Sequence, residues 1–235
     1  MTLTVNHLKK TFRDTTAVDI DSYSINEGEI VGIVGNNGAG KTTLFRLVLD
    51  LLKADVGNAM IQNIITSESE DWKQFTGAFI DESFLIDFLT PDEFFSFISK
   101  IHGISEQDCR CRLNRFDHIM NGEIIHVNKL IRNLSAGNKQ KVGIIGSMLH
   151  NPHLLILDEP FNFLDPSSQL SMKKILYDYS HDTGATIIIS SHNLQHTFDL
   201  CTRITLLEHG QIIKDVRNDE ANLYKEIENY FVCES

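Results

Sequence analysis

Apolar and polar residues alternate near the start of the chain, in Leu3-Thr4-Val5 and again in Tyr23-Ser24-Ile25. A period of two predicts short strands with one face buried. The pattern then changes. Glu29-Ile30-Val31-Gly32-Ile33-Val34 is a nearly continuous β-branched run, as expected of a strand covered on both faces of a parallel sheet. A glycine-rich stretch from Gly35 to Gly40 interrupts it. From Lys41 onward, Leu44, Leu47, Val48, Leu51 and Leu52 recur at helical spacing. Strand, glycine loop and helix in that order are half of a βα unit.

Residues 54 to 65 read as another short strand segment, and residues 90 to about 150 as mostly helical. Thr90-Pro91-Asp92-Glu93 is a helix start, with Thr90 as N-cap, Pro91 at the first position and Glu93 closing a capping box. The helix runs through Phe94, Phe95, Phe97, Ile98 and Ile101 to Gly103, a stop signal. Core packing is the first reading of these phenylalanines, and a surface that grips a partner is the second. Two further buried strands, Leu154-Leu155-Ile156-Leu157 and Thr186-Ile187-Ile188-Ile189, enclose a helical stretch at 167 to 181. Strands alternating with helices imply a parallel sheet. A hairpin from Ile204 to Lys214, turning at His209-Gly210, and a terminal helix near 219 to 231 complete the pattern.

Composition narrows the class. Of 235 residues, 42% are hydrophobic and 23% charged, which is ordinary for a packed globular core. Acidic residues outnumber basic ones, 32 to 21, for a formal charge of −11. With no basic stripe, nucleic acid is not an expected partner. Cys109 and Cys111 are close together, but no second pair has ligand spacing. The four cysteines therefore read as reduced thiols rather than a metal site. The first residues lack the apolar core of a signal peptide, and no run of roughly 18 apolar residues is present to span a bilayer. Any membrane work would need another chain.

Two motifs carry chemistry. Gly35-Asn36-Asn37-Gly38-Ala39-Gly40-Lys41-Thr42 matches the Walker A pattern in full, in its proper strand–loop–helix context. Backbone amides of such a loop, the following Thr43 included, surround phosphate oxygens at a helix N-terminus. Lys41 reaches the β- and γ-phosphates and the Thr42 hydroxyl suits Mg²⁺. The second motif is Asp158-Glu159 at the end of a buried strand, where ligand sites of open α/β sheets lie. Asp158 is assigned to Mg²⁺ and Glu159 to the attacking water. Adjacent strand residues point to opposite faces, which lets the two carboxylates do different jobs.

At this point the sequence resembles the nucleotide-binding subunits of ABC transporters, across essentially its whole length. Leu134-Ser135-Ala136-Gly137-Asn138, followed by Lys139-Gln140-Lys141, looks like the ABC signature. Ser135 suits an N-cap, and Gly137 exposes backbone N–H at a helix start, which makes a second anion site. The resemblance implies a head-to-tail pair, in which Ser135 and Gly137 of one subunit cover the γ-phosphate held by Lys41 of the other. It also implies a D-loop carboxylate at Asp165 and a γ-phosphate-sensing switch at His192. Phe12 sits where an aromatic stacks on adenine, with core packing as its rival. The chain departs from the family pattern in three places. Ala136 replaces a glycine, Asn138 replaces a glutamine, and Asp81 stands where the Q-loop glutamine is usual; Asp81 is assigned to the metal.

The resemblance therefore implies one P-loop α/β domain over residues 1–235, with an N-terminal antiparallel β-subdomain and a helical subdomain at about 84–148. It implies ATP hydrolysis with Mg²⁺, by Glu159, His192 and Lys41, in a homodimer or with a paired ATPase subunit. Separate transmembrane permease subunits would hold the protein at the inner face of the cell membrane. Asp87-Phe88-Leu89-Thr90-Pro91-Asp92-Glu93 and the short tail favour export over import. An importer, a ribosome- or DNA-associated ABC ATPase, and a module that holds ATP without hydrolysing it are the alternatives.

Overall fold

The computed structural model of the chain describes residues 1–219 and 223–233. Its centre is a sheet whose strands read, in sequence order, β3 (Ile30–Val34), β6 (Thr76–Phe79), β7 (Leu154–Leu157), β8 (Thr186–Ser191), β9 (Arg203–Glu208) and β10 (Gln211–Arg217). Their spatial order is β10-β9-β3-β8-β7-β6, all parallel except the β9–β10 hairpin. Every residue of β3, β7 and β8 is buried, as their unbroken apolar runs require of strands covered on two faces. The edge strand β10 instead alternates exposed and half-buried positions and carries Lys214 and Arg217, a charged edge that resists further pairing.

A second, antiparallel sheet is built from β1 (Leu3–Phe12), β2 (Thr15–Ile25), β4 (Val56–Ile61) and β5 (Ile64–Ile65), in the order β2-β1-β4-β5. The strand expected over 54 to 65 is thus two strands. Gln62 and Asn63, both at positive φ (47° and 66°), turn the chain between them, as a tight hairpin demands. The inner face of this sheet, with Leu3, Val5 and Ile20, packs on helix α1 (Lys41–Val48) and on Val31, Ile33, Leu154 and Ile156 of the central sheet. Their immediate neighbours Ile30, Val34, Leu155 and Leu157 face the opposite core. This is the period-two alternation of strands.

Helices α2 (Pro91–Ile101), α3 (Glu106–Leu113), α4 (Asp117–Met120) and α5 (Ala136–Met148) lie between β6 and β7 in the chain. The capping box of α2 forms as expected. The Thr90 hydroxyl accepts from the Glu93 amide at 3.3 Å, and the Thr90 amide donates to the Glu93 carboxylate at 2.8 Å. Its apolar run divides between two faces. Phe94 and Phe95 are buried, whereas Phe97 and Ile101 are 43% and 62% exposed. Five apolar residues in two turns are more than one helix face holds, so core packing accounts for only part of the run. The remaining helices are α6 (Pro166–Thr183), α7 (Leu194–Leu200) and α8 (Leu223–Cys233). The 220–222 portion of the expected terminal helix lies outside the described residues.

Helix α5 is held close to the sheet by glycine. A Cβ at Gly143 would sit 2.1 Å from the Phe79 ring. Gly143→Val therefore forces two buried elements apart. It is expected to lower stability by about 1–3 kcal/mol or somewhat more, read as a lower denaturation midpoint in urea; an unchanged midpoint contradicts this packing.

Candidate active site

The parallel strands end side by side, and their registers bring the functional residues together. Val34 pairs with Ser191, and Leu157 pairs with both Ile189 and Phe79. The glycine loop, Asp158, Asp81 and His192 therefore leave the sheet along one edge, where such sheets place their ligands.

The loop from Gly35 runs into α1, which has Gly40 as its N-cap and no side-chain cap. The first N–H groups of α1 thus have no side chain to serve them, which makes this helix start an anion site. Gly40 has φ 105°, and a Cβ there would meet the Ala17 carbonyl at 2.4 Å, so no other residue fits. Asn36, Asn37 and Gly38 are exposed, whereas Ala39 is buried and its carbonyl accepts from the Gly210 amide at 2.9 Å. Lys41 folds back under the loop. Its ammonium donates to the Gly35 carbonyl at 2.6 Å and the Asn36 carbonyl at 3.3 Å. It also lies 3.8 Å from Glu159 Oε1. Burial pushes the Lys41 pKa down, and the nearby Glu159 and Asp158 oppose that push.

The Thr42 hydroxyl donates to Asp158 Oδ2 at 2.5 Å, and Thr43 follows it, half-buried. The other oxygen of Asp158 accepts from Ser190 Oγ. Burial raises the Asp158 carboxyl pKa, and the Ser190 and Thr42 hydroxyls work against the rise. Ser190 also accepts from the Glu159 amide at 2.8 Å, so one hydroxyl fixes both carboxylate residues. Glu159 lies beyond the end of β7 at φ 48°. A left-handed turn, not the pleat of a strand, is what separates its side chain from that of Asp158. Its carbonyl accepts from Gln140 Nε2 at 3.1 Å, and its Oε2 meets His192 Nδ1 at 2.9 Å.

Other expected site residues have other surroundings. Phe12 is 47% exposed beside Lys10, whose ammonium is 5.6 Å from the ring centroid; core packing is excluded for it. Asp165 caps α6, accepting four hydrogen bonds from the amides and hydroxyls of Ser167 and Ser168. Those bonds hold its carboxyl well below the usual range. Asp81 accepts from Arg46 Nη2 at 2.7 Å and from the Ser83 amide at 2.8 Å. Burial pushes its pKa up, but these bonds outweigh burial and leave it lowered. Ser135 caps α5, its hydroxyl accepting from the Asn138 amide at 3.2 Å, and Asn138 donates to Glu123. Both bonds stay inside the helical insertion. Gly137 lies against the Phe163 carbonyl, 2.7 Å from where a Cβ would be. Lys41, Thr42, Asp158, Glu159 and His192 thus form one connected cluster, while Ser135 is exposed at the start of a different helix.

Ser190, Gln140 and Arg46 were not among the expected residues. Ser190 leaves one trace, a serine that follows the apolar run Ile187-Ile188-Ile189 on a fully buried strand. Among the described residues no group of three or more His, Cys, Asp or Glu side chains is arranged to hold a metal by itself. A cation here would be shared with phosphate oxygens.

The profile of the family described as ABC transporter matches residues 18–162. The uncharacterized ABC transporter ATP-binding protein YhcH of Bacillus subtilis (strain 168) is 30% identical over 233 residues, covering 97% of this chain and 74% of YhcH. The lipopolysaccharide export system ATP-binding protein LptB of Escherichia coli (strain K12) is 29% identical, over 90% of this chain and 89% of LptB. A solved ATP-binding subunit of an ABC transporter superposes with a TM-score of 0.86 at 23% identity, over 99% of this chain and 98% of the other.

Proposed function

We propose, from the premise that this chain belongs to the ABC transporter family and is one of its ATPases, that it works as one half of a head-to-tail pair driving export through separate permease subunits. The observation that carries this reading is the cluster of Lys41, Thr42, Asp158, Glu159 and His192 on one sheet edge, with a second, exposed helix start at Ser135. One chain holds a triphosphate with the first site; a second copy supplies Ser135 and Gly137 to cover it.

Gly35 to Thr43 wrap the phosphates with backbone amides, and Lys41 leaves its loop carbonyls for the β- and γ-oxygens. Phe12, exposed at a strand end, stacks on the adenine. Glu159 orients the attacking water and takes its proton, and His192, within reach of Glu159, donates to the γ-phosphate. Asp165 fixes the start of α6 next to the pair interface. For magnesium, Thr42 and Asp158 offer adjacent hard oxygen donors, the kind this ion prefers. Asp81 adds a carboxylate only if Arg46 releases it. When bound, the ion offsets charge on the β- and γ-phosphate oxygens.

Export is supported by the Asp87-Phe88-Leu89-Thr90-Pro91-Asp92-Glu93 stretch and by the similarity to LptB, named for an export system. Membrane passage is assigned to permease subunits, which place the chain at the inner face of the membrane. No helix among the described residues is long and apolar enough to cross one. Ser135→Ala is expected to slow ATP hydrolysis by about a hundredfold while monomer ATP affinity, read by calorimetry, stays within about twofold of the original, since within one chain the Ser135 hydroxyl serves the Asn138 amide and not the phosphate loop. Parallel loss of both would end the cross-subunit reading.

A further inference from the structure

Two acidic neighbours in the loop that leaves β6 each hold a cation from a different helix. Asp81 holds Arg46 of α1 at 2.7 Å, and Glu82 holds Lys139 of α5 at 2.9 Å. The positions of these cations match. Arg46 lies one helical turn beyond Thr42, on the same face, and Lys139 lies one turn beyond Ser135. Asp81 and Glu82 thus join the helix that begins at the phosphate loop to the helix that begins at the signature, each tied one turn from its nucleotide-facing residue. The same connecting segment is laced to the approach of α5 further on, where the Arg132 amide donates to the Asp87 carbonyl and the Ile131 amide to the Leu89 carbonyl. An amide at position 81 would still accept from the Arg46 guanidinium, but a carboxylate adds the attraction of opposite charges.

We propose that Asp81 and Glu82 form an ionic clasp that fixes the signature helix relative to the phosphate-loop helix, making Arg46 and Lys139 positioning residues for ATP hydrolysis. The effect on hydrolysis rests on the cross-subunit reading above; the clasp itself does not. All four side chains are partly exposed, so each pair is individually weak and screened by salt. The two pairs act in series, and opening either one frees the same joint.

The test compares Arg46→Gln, Lys139→Gln, their combination and Lys139→Arg with the unmodified chain. At low salt each single glutamine variant is expected to lose kcat by about two- to fivefold, the range of an exposed ion pair. The KM for ATP stays within about twofold, because neither residue is placed on the nucleotide. The combined variant is no slower than the slower single one, and Lys139→Arg retains full rate. At high salt the differences close. Losses that multiply, that persist in high salt, or that fall on KM overturn the clasp. Hydrogen exchange in the nucleotide-free chain separates this from failure of the functional reading. Backbone amides of residues 82–90 are expected to exchange faster in both glutamine variants, whether or not the protein hydrolyses ATP. Unchanged exchange overturns the clasp even if activity falls.

Discussion

With Glu159 replaced by glutamine, ATP turnover falls by about a hundredfold to a thousandfold, within the range for removal of a general base, and ATP is still bound. Glutamine copies the shape of the side chain and keeps a partner for His192 Nδ1, now 2.9 Å from Glu159 Oε2. It cannot take a proton from water. The backbone anchors of residue 159 are untouched, because they are its amide to Ser190 and its carbonyl to Gln140. The turn at φ 48° and the position of Asp158 therefore survive the change. Loss of the negative charge also removes repulsion of the γ-phosphate, so affinity holds or rises. In the proposed head-to-tail pair uncleaved ATP lies between the two copies and holds them together, so the variant is expected to accumulate as an ATP-bound dimer, visible by size-exclusion chromatography with ATP in the buffer. Full turnover in this variant would take Glu159 out of its proposed role and leave Asp158 or His192 to act on the water.

Why the strand-end residues were legible, and their partners not, follows from how each is specified. Val31 to Val34, Leu154 to Leu157 and Thr186 to Ile189 are runs that only a sheet covered on both faces accommodates, so element type and burial could be read locally. The glycine loop was legible for the same reason: its residues are adjacent in sequence. Ser190 is different. It bridges Asp158 and Glu159 because β8 lies between β3 and β7, and strand order is not written in any local stretch. Arg46 and Asp81 meet across the end of the sheet on the same terms. The family pattern points Asp81 at the metal, and nothing local announces that Arg46 holds its Oδ2. The family pattern points Asp165 at a partner, and within the chain its oxygens cap α6. The sequence Asp-Pro-Ser-Ser carries that signal, since a carboxylate before proline and two serines is a helix start. In α2 the run of phenylalanines gave the helix but not its faces. Phe97 and Ile101 are left outside because the core side of the helix is already filled by Phe94 and Phe95.

Lys41→Ala is expected to raise the ATP dissociation constant by about a hundredfold, equivalent to ~2.7 kcal/mol, the upper part of the range for a hydrogen bond to a charged group. The ammonium is held by the Gly35 and Asn36 carbonyls, with Glu159 3.8 Å away. It is buried under the loop, so a charge-assisted bond from it to phosphate is little weakened by water. Phosphate oxygens replace weak carbonyl acceptors with charged ones. Removing the side chain loses that exchange and leaves Glu159 facing a polyanion without its ammonium partner. Lys41→Arg separates charge from shape. The guanidinium keeps the charge, but its planar fork cannot enter a space cut for one tetrahedral ammonium 2.6 Å from a carbonyl. Arginine is thus expected to bind ATP nearly as poorly as alanine. Calorimetry on both variants decides the matter. Affinity restored by arginine would mean that charge alone acts at this position, and affinity unchanged in the alanine variant would mean that the phosphates are held somewhere other than this loop.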